Sequence, residues 1–223
     1  MTQVLSYHAD LNGFGEVFII YNAPYKLEQL NLSVKRHTAF DRQSDCLLDK
    51  LLHNQYDSKL PDLFLEARVL FVLREPIITI QPTTDLFTLL SSHEHASHEQ
   101  STKYYITRVK RLKQLWLQFL KSRRLFIGHE RHMEGTNQCL EDMSTLLDLS
   151  SPLVNEYQPT KIRRGSSDPL VSTRMSQIVS QILIISIKLG INPDLMAQAE
   201  ATYLEALKLF SSKHSTHTGI QYA

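Results

Sequence analysis

The stretch Lys103–Ile127, KYYITRVKRLKQLWLQFLKSRRLFI, carries eight basic residues, no acidic one and the only tryptophan, Trp116. With residues spaced by about 100°, Tyr105, Val109, Leu112, Leu115, Trp116, Phe119 and Leu120 fall within an arc of about 140°. Lys103, Lys110, Arg111, Lys113, Lys121 and Arg124 fall on the opposite side. Ile106 and Leu117 are apolar exceptions there. Arg108 and Arg123 lie within the apolar arc near its ends, where long stems can carry charge outward. No Gly or Pro interrupts the run before Gly128, a C-cap candidate. The spacing therefore predicts one basic amphipathic helix over 103–127. Its apolar face needs a core or a partner to cover it.

Three roles compete for the basic face. It is a solvated surface paired with the chain's own acids. Or it meets nucleic-acid phosphates, since Lys and Arg along one helix face make that footprint without specifying sequence readout. Or it docks on a partner protein or an anionic membrane surface.

The whole chain carries a net charge of only +1, yet the charge is uneven. Residues 1–102 hold 8 Lys+Arg against 13 Asp+Glu, and residues 103–223 hold 16 against 10. Acidic front and basic rear can attract within one chain, or head to tail in a homodimer. The N-terminus lacks a basic start followed by an apolar run, so no secretory signal is read. Cys46 and Cys139 then read as reduced, buried thiols, and the expected location is nucleus or cytoplasm. The longest apolar run, Ile178 to Leu189, is too short to cross a membrane, which takes about 20 residues.

The fold class expected is α+β. Residues 1–102 read as a small, mostly antiparallel sheet with short helices. Gln3–His8 and Glu16–Tyr21 suggest a hairpin around Asn12-Gly13, and Leu30, Leu32 and Val34 alternate as a third strand. Ser44 caps a helix carrying Cys46, Leu47, Leu48, Leu51 and Leu52. A strand from Arg68, a turn at Glu75-Pro76, a neighbouring strand Ile77–Ile80 and a short helix Leu86–Leu90 follow. Residues 91–102 read as an exposed loop. Residues 103–149 hold the basic helix and a second helix near Gln138–Leu147. Residues 150–170 form a linker, 171–212 a helical hairpin and 213–223 a flexible tail. The hairpin's second helix starts at Asn192-Pro193-Asp194: cap, proline at the first position, acid in the first turn.

The hairpin stretch LGINPDLMAQAEATYLEALKLF is similar to the last helices of all-α nucleotide pyrophosphohydrolases. Those enzymes hold magnesium with paired carboxylates, and Ile178 to Leu189 carries none. The resemblance therefore assigns no activity.

His93, His95 and His98 by themselves could supply three zinc ligands, while His129 and His132 lie at the far end of the basic helix, too distant to share that metal. The first three lack the His-Glu-x-x-His order that positions a general base. Gly13-Phe14-Gly15 has no third glycine and precedes a strand, which excludes a dinucleotide fingerprint. There is no Walker sequence and no nucleophile elbow. Arg163-Arg164-Gly165-Ser166 fits a basophilic kinase pattern, making Ser166 a phosphorylation candidate. No catalytic set and no cofactor is expected.

The reading is a non-catalytic subunit or adaptor of a multiprotein complex, with other protein subunits as partners. The alternative is nucleic-acid binding through 103–127, and a metal-dependent enzyme is third.

Overall fold

The computed structural model describes residues 2–13, 16–37, 46–89, 95–128, 136–156 and 191–212. Among them the order is α1 (Thr2–Tyr7), β1 (Leu11–Asn12), α2 (Lys26–His37), β2 (Cys46–Leu47), α3 (Asn54–Asp57), β3 (Val69–Leu73), α4 (Pro76–Leu89), α5 (His98–Gln118), β4 (Arg124–Gly128), α6 (Thr136–Leu147) and α7 (Pro193–Ser211). Short 3-10 turns occupy Asp62–Glu66 and Lys121–Arg123.

The described fold is mixed and mostly helical, and its strand pairing differs from the expected antiparallel sheet. Two separate two-stranded ladders form, and both are parallel. β1 pairs with β2 in the register Leu11↔Cys46. β3 pairs with β4 from Val69↔Arg124 to Leu73↔Gly128. Parallel strands need a long crossover, here α4 and α5 for β3 and β4, so no local turn announces them. The hairpin signal at Asn12-Gly13 has another cause. A Cβ on Gly13 would sit 2.3 Å from the Leu48 carbonyl oxygen, so the glycine serves close backbone approach.

Several short segments also change type. Gln3–His8 lies largely in α1, where Val4 and Leu5 are buried. The supposed third strand is α2, whose Leu30 and Val34 face inward at helical spacing. The helix expected around Cys46–Leu52 is instead β2 followed by extended chain. Pro76 opens α4, which absorbs Ile77–Ile80; proline at a first helical turn loses no bond.

The predicted helix over 103–127 is corrected at both ends. It begins at His98, because Ser97 accepts from the Gln100 N–H at 3.2 Å as N-cap. It ends at Gln118, with Phe119 extended. Leu125, Phe126 and Ile127 belong to a strand. Their continuous apolar run, like Val69–Leu73, suits a ladder covered on both faces over most of its length, Val72 being exposed. On one face Phe71, Leu73 and Phe126 meet α5 and α7. On the other Leu70, Leu125 and Ile127 meet α1 and α6.

Asn192, Pro193 and Asp194 start α7, with the Asn192 side chain accepting from the Asp194 N–H at 2.8 Å. The helix expected before it, Ser172–Leu189, lies outside the described residues, as do most of 150–170 and the tail 213–223. Among the described residues no helix is long and apolar enough to cross a membrane.

Candidate functional site

α5 is the axis of the described structure, and its sides are held by different chemistry. Tyr105, Val109, Trp116 and Phe119 are buried, and Leu112 packs partly buried against the same cluster. Their cover is this chain's own. α7 contributes Ala199, Tyr203, Ala206 and Phe210. Phe210 lies 4.8 Å from Trp116, 5.3 Å from Phe126 and 5.9 Å from Phe71, ring centre to ring centre. Ile106, which the wheel left on the polar side, is buried in this core too.

A second side of α5 meets residues 51–57 through polar groups. Asp57 is fully buried. Arg108 Nη1 donates to Asp57 Oδ2 at 2.6 Å and to Asn54 Oδ1 at 3.0 Å, and its Nη2 donates to the Leu51 carbonyl at 2.8 Å. Arg111 Nε donates to Asp57 Oδ1 at 3.1 Å, and its Nη2 to the Asp57 carbonyl. One turn earlier the Tyr104 hydroxyl bonds the Leu52 carbonyl at 3.0 Å and lies 2.8 Å from His53 Nδ1. The carbonyl can only accept, so Tyr104 donates to it and His53 Nδ1–H donates to Tyr104. Burial pushes the Tyr104 hydroxyl up to about 12. Arg108 thus turns inward instead of carrying its charge to solvent.

Much of the remaining basic set is also engaged. Lys103 pairs with Glu99, and Lys113 with Glu205 at 2.6 Å. The Glu99 and Glu205 carboxyls are each held below the usual range by the lysine hydrogen bond. Arg123 donates to the Glu66 carbonyl. Arg124 stacks its guanidinium 4.2 Å over the Trp116 ring, and burial draws its pKa down. Lys110 and Lys121 are exposed, and no carboxylate among the described residues makes an ion pair with either. Leu117 and Leu120 are 67% and 65% exposed.

Two of the three candidate histidines lie within the described residues, and each has other contacts. His95 packs its ring between Phe87 at 5.0 Å and Tyr104 at 4.4 Å. His98 Nε2 bonds Gln81 Oε1 at 2.8 Å. His93 lies outside the described residues, as does Ser166 with its arginines. Among the described residues no three His, Cys, Asp or Glu side chains gather as a metal set.

One grouping has the residue types of a hydrolytic triad. His8 Nε2 lies 2.9 Å from both the carbonyl oxygen and Oγ of Ser151, and Asp10 is adjacent. The Asp10 backbone N–H donates to His8 Nδ1 at 3.2 Å, so that nitrogen carries no proton. Nε2 therefore holds the hydrogen and donates it toward Ser151. A general base needs the opposite tautomer, with Nε2 free to accept from serine. Asp10 instead accepts from the Ser150 N–H at 2.6 Å and hydroxyl at 3.0 Å, which hold its carboxyl low. His8 and Asp10 thus clip Ser151 and Ser150 to the chain just after α1.

An open groove of about 620 Å³ lies between β4 and α6, lined by Arg68, Ser122, Asp142, Thr145 and Asp148 among others. Arg68 is already satisfied there by Asp148 at 3.2 Å and by the Leu147 carbonyl.

The groups missed from sequence are Asp57, Tyr104 and His53. A 51-residue separation between Asp57 and Arg108 leaves no local signal. Searched against known proteins, the chain matches no family model, and no curated protein is significantly similar to it.

Proposed function

We propose that this chain is a non-catalytic subunit or adaptor of a multiprotein complex of nucleus or cytoplasm, joined to protein partners through its helical surfaces. The observation that carries the reading is the outward end of α5. α5, fixed on two sides by core and ion cluster, presents exposed Lys110 and Leu117, and exposed Leu120 and Lys121 follow just beyond its end. Exposed leucines beside unpaired charge fit a mixed apolar and polar protein contact.

Nucleic-acid binding through the same helix is the weaker reading. Arg108 and Arg111 are spent on Asp57, Lys103 and Lys113 on glutamates, Arg124 on Trp116 and Arg123 on the Glu66 carbonyl. Two remaining lysines give a salt slope of only about −2 on duplex DNA.

Affinity purification from native cells, with and without nuclease, tests the reading. A protein recovered in stoichiometric amount and resistant to nuclease is expected. A chain recovered alone, or with material that nuclease removes, overturns it. A steep loss of duplex affinity with salt would transfer the assignment to nucleic acid.

A further inference from the structure

We propose that the strip Lys110, Gln114, Leu117, Leu120 and Lys121 is a docking site for an acidic amphipathic helix of a partner protein. The assignment rests on the subunit reading above and names the partner's chemistry. Lys110, Gln114 and Leu117 follow at spacings of four and three, one side of α5. Leu120 and Lys121 continue directly beyond its C-cap at Phe119. All five are exposed.

Charge complementarity selects the occupant. In sequence Lys110 and Lys121 bracket the two leucines, and neither has an ion-pair partner among the described residues. Glu205 is already bonded to Lys113, although Lys110 also helps to hold its carboxyl low. An opposing helix with apolar residues at three-and-four spacing and Asp or Glu beside them matches both features.

Other occupants fit less well. A second copy using the same strip would set Lys110 and Lys121 against their twins. An anionic membrane is held by clusters of about four to eight cations, twice or more what the strip offers. Nucleic acid would meet only two cations here, too few for firm phosphate binding.

The full chain is titrated with a labelled helical peptide of about 18 residues, leucine on one face and glutamate elsewhere, followed by fluorescence anisotropy. A peptide with lysine in place of glutamate is the control. Saturable binding of the acidic peptide alone is expected. Leu117→Ala with Leu120→Ala should weaken it at least about tenfold. Lys110→Glu with Lys121→Glu should reverse the preference toward the lysine peptide, a gain that misfolding cannot produce. The proposal is overturned if the acidic peptide fails to bind, if the reversed variant does not switch, or if phosphatidylserine vesicles or single-stranded DNA bind while the peptide does not. A native partner captured equally by wild type and both double variants overturns this strip while the subunit reading stands.

Discussion

Two flanks of α5 solve the same problem by different physics. Toward α7 and the β3–β4 ladder, Phe71, Trp116, Phe119, Phe126 and Phe210 interlock as a box of rings. That burial is strong but non-directional, and related shapes can replace one another. Toward residues 51–57, Asp57 takes both Arg108 and Arg111, while Tyr104 and Arg108 reach the Leu52 and Leu51 carbonyls. Those contacts are directional, so they fix position more than they add net stability. The difference teaches how a helix this basic is buried at all: one flank excludes its charges and the other neutralises them.

The comparison breaks first at Asp57. Asp57→Ala leaves two guanidinium groups facing a buried gap and should destabilise by about 3–5 kcal/mol in urea unfolding. Replacing the trio together, Asp57→Leu with Arg108→Met and Arg111→Leu, should recover most of that loss. If the single change is neutral, the polar flank holds nothing. On the apolar flank Phe210→Ala should cost about 3–5 kcal/mol with no rescue by charge, and calorimetry reads it as a lowered Tm.

A smaller effect separates the flanks by pH. Tyr104→Phe should cost about 1 kcal/mol at neutral pH. Because the folded chain holds the Tyr104 proton up to about 12, against 10.0 ordinarily, its contribution is whole below pH 10. It is lost as pH rises through about 12. Wild type should therefore lose stability more steeply than the variant over that interval.

The smallest effect is expected at acid pH. Asp10, Glu99 and Glu205 are held low, so their contributions exist above the ordinary carboxylate range and fade as pH falls. Burial pushes Asp49 upward despite its bond from Tyr21, so its contribution has the opposite sign and is lost as pH rises. A urea midpoint followed below pH 5 should move only slightly, and less in high salt.

What was legible in the sequence was what local spacing encodes. The apolar face of α5, the strand after Arg68, α6 and the Asn192-Pro193-Asp194 start all follow from periodicity or capping chemistry. The Ser97–Gln100 cap is equally local, but the polar run around it resembles a loop and hides the first turn of α5. Parallel pairing was not legible, since β3 and β4 meet across two helices. The tail of the basic stretch shows the conflict. Leu125, Phe126 and Ile127 can extend a helix, but β3 offers them a ladder, and the tertiary contact prevails. Ion partners were hidden for the same reason: Asp57 gives no sign that it will receive two arginines from α5.

The register Val69↔Arg124 also dictates an order of events as the chain takes shape. VLFVL leaves the ribosome more than fifty residues before the strand that completes it. During that interval its backbone has nothing to zip against and its side chains are bare to any neighbour. α5 must turn the chain back before the second strand can arrive, which makes it a splint for assembly. Lengthening the path between the strands should delay folding far more than it weakens the finished molecule.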